Sequence, residues 1–310
     1  MKQFIAGLWG TTQLQLFRIV DGSVADTCRG PGVSQMAGQE FEAVLLDLLK
    51  DWAGAEGRIE VLLAGMVGSS IGWCEVEYVP CPSRASNVLG SSVSVPLGKG
   101  SARILGGMAC TNVLGEPDVM RGEEIELIGL EAMTSASKAG RSLVCIPGTH
   151  TKWVLLEDGV VESFLSSVTG EMFAGLIKSG VLASGQGATF DREVFVAAVG
   201  DAYREGASLV HLLFSARSRV ASGKMLASHS ADRLSGLLIG ADVAGAVRSL
   251  ELSPADHAEV AVIAMPAIGK RYVAALEELG FGARFVASQD AAVAGFTEAF
   301  RSLSIDRASQ

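Results

Sequence analysis

Short apolar runs alternate with glycine-marked turns along this chain, and one arrangement of them occurs twice. The apolar run Phe4-Ile5-Ala6-Gly7-Leu8 leads through Gly10-Thr11-Thr12 into Gln13-Leu14-Gln15-Leu16-Phe17, then reaches Asp21-Gly22. Alternation of polar and apolar positions predicts a half-buried strand, and Asp-Gly between two such runs predicts a hairpin turn. From Leu143 through Gly148-Thr149-His150-Thr151-Lys152 to Asp158-Gly159 the same order returns with nearly the same spacing. The chain therefore reads as built twice.

Between and after the two repeats the apolar spacing changes. Phe41, Val44, Leu45, Leu48 and Leu49 recur at helical intervals within Gly38 to Trp52, and Arg58 to Ala64 reads as a buried strand. Tyr78-Val79-Pro80-Cys81-Pro82 reads as extended and kinked, and Ala102 to Gly106 as another strand. Glu116 to Leu130 is the densest charge cluster and suits a helix start. Phe164 to Val168 is a predicted strand, with a helix opening at Thr169; Phe190 to Leu226 is helical, and a further helix opens at Leu234. The end of the chain alternates strand (Val260 to Ala264), helix (Ile268 to Leu279), strand (Ala283 to Ala287) and helix (Asp290 to Phe300), which implies parallel strand pairing.

A length of 310 residues is long for one core, so two domains of about 150 residues each are expected. With 49% hydrophobic residues and 37 glycines, the chain belongs to a packed globular protein with many tight turns. A net charge of −9 argues against a nucleic-acid binder, which would carry a basic stripe, so anionic ligands must be caught locally. Five widely spaced cysteines, Cys28, Cys74, Cys81, Cys110 and Cys145, include no C-x-x-C pair and favour a reducing cytoplasm over a disulfide framework or zinc site. No signal segment or membrane-length apolar stretch is read.

Candidate chemistry gathers at the turns. Glycine lets the backbone bend sharply while successive N–H groups and threonine hydroxyls point at an anion, so two such turns could clamp a polyphosphate; ordinary hairpins with polar tips are the alternative. Gly65 to Trp73 follows a strand end, where open α/β sheets bind ligands, and could admit a polar substrate against Trp73 or simply connect elements. Arg121 beside Glu123 and Glu124 fits either helix capping or a sugar-acid site, with the guanidinium gripping a carboxylate and a carboxylate accepting a hydroxyl proton. Glu171, near a helix start, is either a cap or a further base candidate. Gly236 and Gly240 fall one turn apart and allow close helix packing or approach of a flat ring. Walker, G-x-G-x-x-G and H-E-x-x-H motifs are absent. His211, His229 and His257 have no ligand-like spacing, and His150 alone lies at a suggestive place.

Seven ordered blocks carry a family resemblance: Trp9-Gly10-Thr11-Thr12, Ala64 to Ser69, Tyr78 to Pro82, Asp118 to Glu124, Pro147 to Trp153, Thr169-Gly170-Glu171 and Leu234 to Gly240. Together they resemble the 2-dehydro-3-deoxygalactonokinases over nearly the whole chain. The resemblance implies an α/β fold of two duplicated actin-like, ribonuclease H-like ATPase domains around a central cleft. Their expected limits are residues 1–135 and 136–289, with a C-terminal helix at about 290–305 returning to the first domain. It implies transfer of the ATP γ-phosphoryl group to the 6-hydroxyl of 2-dehydro-3-deoxy-D-galactonate, with Mg²⁺ neutralising developing charge. Gly10, Thr11, Thr12, Gly148, Thr149, His150 and Lys152 would hold phosphates. Met66, Ser69, Trp73 and Arg121 would hold the sugar acid, and Gly236, Gly240 and Pro266 would border adenosine. Glu124, then Glu171 and Glu123, are the expected base candidates. Leu8 stands where the family has an aspartate supporting the metal, and Met265 where it usually has glycine. These departures leave open a silent homologue that only binds sugar acid or nucleotide. A kinase for a related 2-keto-3-deoxy sugar acid is open too.

Overall fold

The computed structural model describes residues 3–36, 40–52, 60–134, 140–183, 190–204, 208–253 and 259–308. Strands β1 (Gln3–Trp9), β2 (Gln13–Val20) and β3 (Ser23–Pro31) form an antiparallel meander, followed by helix α1 (Phe41–Leu49) and strand β4 (Glu60–Gly65). Strands β5 (Val79–Pro80), β6 (Val93–Leu97), β7 (Gly100–Ile104), β8 (Met108–Thr111) and β9 (Pro117–Met120) precede α2 (Glu123–Met133). The second half begins with β10 (Arg141–Ile146), β11 (Thr151–Glu157) and β12 (Val160–Ser167). Helices α3 (Thr169–Ser179), α4 (Arg192–Tyr203), α5 (Leu209–Leu213), α6 (Ser215–Ala221) and α7 (Ser230–Ser249) follow. The chain closes with β13 (Val260–Ala264), α8 (Pro266–Glu278), β14 (Ala283–Ala287) and α9 (Ser288–Ala308).

The duplication is present in the sheets. One runs β3-β2-β1-β4-β7-β6 and the other β12-β11-β10-β13-β14, so the first five strands of each share one order. In both, the meander is antiparallel and the next two strands join parallel, including the closing β13–β14 pair, while β6 adds antiparallel at the edge of the first. The hairpin tips match as well: Asp21 and Gly22 have φ of 49° and 79°, Asp158 and Gly159 of 50° and 77°. Two successive left-handed residues make the tight hairpin that Asp-Gly favours. A small third sheet, β5-β8-β9, lies outside this repeat. In the charge cluster, Pro117–Met120 is a strand, and the helix starts only at Glu123, after Gly122 turns with φ of 117°. The long stretch read as helical from Phe190 to Leu226 is broken into α4, α5 and α6.

The two large sheets share a core. Phe4, Phe17 and Leu62 of the first and Val144, Val154 and Ile263 of the second pack into one cluster with Ile125 and Ile128 of α2 and Ala291 and Phe296 of α9. Helices α2 and α9 cross closely, because a Cβ at Gly129 would strike the Ala291 carbonyl and one at Gly295 the Ile125 carbonyl. The Phe300 ring stacks on Phe4 with centroids 4.2 Å apart, which fastens α9 to the first sheet. The outer face of the second sheet is covered by α4, α7 and α8 through residues such as Phe195, Val243 and Tyr272. Among the described residues no helix is long and apolar enough to cross a membrane.

Candidate active site

At the end of β1 the chain turns through Gly10, Thr11 and Thr12, with both threonines exposed. The segment after β3 braces this turn. Val33 N–H donates to the Gly10 carbonyl (3.0 Å) and the Ser34 hydroxyl to the Thr11 carbonyl (2.7 Å). Gly65, with φ of 97°, lies so close that a Cβ would come within 2.8 Å of the Trp9 carbonyl. Gly122 rests in turn on Gly65, a Cβ there meeting its Cα at 3.4 Å. The first turn, the Met66 loop and the start of α2 thus converge through three backbones.

The loop after β4 is wound tightly on itself. Ser69 donates through its hydroxyl to the Met66 carbonyl (2.7 Å), and Trp73 N–H donates to Val67 (2.8 Å). Trp73 is half-buried and stacks on Phe41 at 6.3 Å, so its ring belongs to the outer core of the first sheet. Arg121 lies under this loop. One guanidinium nitrogen donates to the Val76 carbonyl (2.7 Å) and its plane covers the Tyr78 ring at 4.1 Å, while Nε and Nη1 are buried without a partner. A buried donor without an acceptor is costly, which makes Arg121 the least satisfied cation at this end of the molecule.

The three base candidates differ in access. Glu124 has no exposed surface, and its carboxyl turns back to accept the Gly122 amide at 2.7 and 2.9 Å. Burial, then the neighbouring Glu123 charge, pushes its pKa up to about 8. Sealed from solvent in this way, the Glu124 carboxyl shapes the start of α2. Glu123 is half-buried and accepts the Arg121 amide through Oε2 (2.9 Å). Glu171 is exposed and pairs with the His150 ring at 2.9 Å.

The second turn, Gly148 to His150, is exposed and packs against the start of α3. Glu171 N–H donates to the Thr149 carbonyl (2.9 Å), and a Cβ at Gly170 would run into the Gly148 carbonyl. A helix N-terminus offers unpaired N–H groups and a partial positive charge to an anion. Beside this turn opens a cavity of about 290 Å³, lined by Gly148, Thr169, Phe173, Ser235, Ile268 and Tyr272 among others. Its lining is mostly apolar with a few polar groups, the composition of small-molecule sites. On one side Arg271 pairs with buried Asp232 at 2.7 Å and lies over the Phe190 ring at 4.2 Å.

Three sequence expectations are placed differently. Lys152 is buried, and its ammonium donates to the Val119 carbonyl (2.8 Å) and the Ser166 hydroxyl (2.6 Å), joining β9 to β12 rather than pointing from the turn. Strand alternation carries the side chain inward there. Gly236 and Gly240 fit against Phe195, Ala198 and Val199 of α4, which selects helix packing over contact with a ring; Ser235 and Ile239, one position back on α7, line the cavity instead. Pro266 begins α8, and Ala267 and Ile268 after it line the cavity. Met265 is exposed at the helix cap. Of the remaining histidines, His229 approaches Asp191 at 3.5 Å, His211 is exposed, and His257 lies outside the described residues. Asp232, Arg271 and Asp242, which the sequence reading missed, have charge but no local motif to reveal them.

Leu8 is half-buried in β1, flanked in register by Gln15 and Ala64, and packs against the shared core. An alkyl side chain offers a metal nothing, and among the described residues no group of three or more His, Cys, Asp or Glu side chains could hold one.

Two copies of one strand order, each carrying a Gly–Thr turn after its first strand, define a duplicated actin-like α/β fold. The chain belongs to the 2-keto-3-deoxy-galactonokinase family, whose profile matches residues 9–299. It is 33% identical over 95% of both chains to a protein of Rhizobium meliloti (strain 1021) named as a probable 2-dehydro-3-deoxygalactonokinase. It is 30% identical to the 2-dehydro-3-deoxygalactonokinase of Escherichia coli (strain K12), over 94% of this chain and 96% of that one. These relatives are phosphotransferases with an alcohol acceptor. A crystal structure of a Sinorhizobium meliloti protein assigned to the same activity superposes with a TM-score of 0.84 at 31% identity, covering 96% of each chain. The activator of 2-hydroxyisocaproyl-CoA dehydratase from Clostridium difficile matches at 0.50 and 13% identity over 98% of this chain and 97% of that one, a likeness of fold alone.

Proposed function

We propose that the protein is an ATP-dependent kinase that phosphorylates the 6-hydroxyl of 2-dehydro-3-deoxy-D-galactonate in galactonate breakdown. The observation that carries the reading is the mostly apolar cavity opening beside the exposed Gly148 turn, in a chain of this family. The nucleoside occupies that cavity, and its phosphates reach the Gly148–His150 turn and the start of α3. Thr11 and Thr12 meet the transferred group from the other domain. Arg121, with two donors unused, is the cation for the substrate carboxylate once the Met66–Trp73 loop adjusts around it.

In the transfer, the substrate 6-oxygen forms the new bond to the γ-phosphorus, the bridge to the β-phosphate breaks, and ADP leaves. Glu123 accepts the hydroxyl proton, being the less buried carboxylate at the convergence of turn, loop and helix. Phosphoryl transfer depends chiefly on positioning and electrostatics, so these fixed backbones account for much of the catalysis. Magnesium enters as part of the ATP substrate. Five free cysteines, three of them (Cys81, Cys110 and Cys145) with thiol pKa values raised by burial, suit a reducing cytoplasm. A second reading, a silent homologue that binds ligand without turnover, is favoured by Leu8.

The product identifies the reaction. Phosphorus NMR of a completed reaction is expected to give a phosphomonoester coupled to the two C6 protons. A phosphate coupled to a single ring or chain proton would place transfer on another hydroxyl.

A further inference from the structure

One buried carboxylate ties together the walls of the cavity. Asp242 of α7 accepts from Trp153 Nε1 of β11 (2.9 Å), from the Thr169 hydroxyl at the start of α3 (2.9 Å) and from the Tyr272 hydroxyl of α8 (2.5 Å). Two of these donors, Thr169 and Tyr272, line the cavity directly. All three partners are themselves buried.

A carboxylate only accepts, so it dictates the direction of every proton around it. With its proton on Asp242, the Tyr272 oxygen must accept from Thr151, 2.8 Å away. With its proton likewise committed, the Thr169 oxygen must accept from Ser167 at 2.9 Å. One charge thereby orients a chain of hydroxyls running from Thr151 through Tyr272, and from Ser167 through Thr169. Buried networks in which every member is satisfied are rigid and are lost as a unit. The Tyr272 hydroxyl is held well above its usual pKa by burial and then by Asp242, which keeps it a donor.

The geometry points to Asp242 as a positioning residue of the nucleotide cavity: through Thr169 it fixes the start of α3 against the Gly148 turn, and through Tyr272 it fixes α8. The proposal rests on the nucleotide reading above. Asn at this position keeps the contacts. Its oxygen faces Trp153, which can only donate, and its amide faces Thr169 and Tyr272, whose hydroxyls can reverse and pass their protons to Ser167 and Thr151. Valine at position 169 cannot restore the tie to α3, whereas serine can.

The test is titration calorimetry with ADP on the full chain, with thermal unfolding recorded for each variant. Asp242→Ala and Thr169→Val are each expected to weaken ADP at least ~10-fold, Thr169→Ser and Asp242→Asn to stay within about threefold of the parent, the size of a lost buried hydrogen bond separating the two groups. An unchanged ADP affinity in folded Asp242→Ala or in folded Thr169→Val overturns the positioning role alone. Absence of ADP binding by the parent protein overturns the nucleotide reading, and this proposal with it.

Discussion

Replacing Leu8 by Asp is expected to raise kcat for ATP-dependent phosphorylation at least ~10²-fold, the scale on which removal of one preorganised charged or polar group acts in enzymes. Leu8 is the half-buried position near the end of β1, one residue before fully buried Trp9, whose carbonyl lies against Gly65 at the convergence of turn, loop and α2. The side chain there is half-buried, so an aspartate would keep contact with water. A loss of packing of about 1–3 kcal/mol accompanies the change, because Leu8 contacts the shared core. The signature is therefore a protein that melts lower and turns over faster. Initial rates of ADP formation at saturating substrates, with melting curves beside them, read both effects. A folded Leu8→Asp protein with unchanged kcat would mean that residue 8 does not limit the reaction.

Glu126→Gln is expected to stabilise the protein at pH 8 by about 2–4 kcal/mol and to change little at pH 5. Glu126 is buried on α2 and accepts the Ser288 hydroxyl at the start of α9. Burial raises its pKa from 4.5 to about 8, with the Glu123 charge adding to the rise. Between those values the unfolded chain has released the proton while the folded protein still holds it. Folding thus becomes less favourable as pH rises through that window, by an upper bound of roughly 5 kcal/mol for one such group. Glu124 behaves in the same sense, since burial also takes its carboxyl to about 8. Glutamine keeps the shape and an oxygen for Ser288 without a charge to desolvate. Melting midpoints of the parent and Glu126→Gln at pH 5 and 8 decide the matter: the gap between the two pH values should roughly halve. An undiminished gap would show that Glu126 is not the group that titrates.

The fold was legible where chain geometry demanded a particular residue. Asp21-Gly22 and Asp158-Gly159 mark two hairpins because few other pairs adopt two positive φ values in succession. The closing strand–helix alternation led to parallel β13 and β14 because a short helical crossover permits no other pairing in one sheet. The site was less legible where burial decides function. Glu123 and Glu124 are adjacent and equally acidic in sequence, yet one is sealed and the other half-exposed, a difference set by how α2 lies on Gly65 and α9. Gly236 and Gly240 carried two meanings that only the neighbouring α4 could separate. Asp242 is invisible in sequence because its donors lie 30, 73 and 89 residues away. Lys152 looked like a phosphate ligand because it follows a Gly–Thr turn, but strand pleating directs it to Val119 and Ser166.

Release of ADP from Mg²⁺-ATP by the unaltered protein, with and without 2-dehydro-3-deoxy-D-galactonate, is the deciding measurement. Turnover is expected to depend on the sugar acid, slow in the parent protein and faster in Leu8→Asp. ADP release that is the same with and without the sugar acid, in both proteins, would contradict it and leave a ligand-binding member of a kinase family.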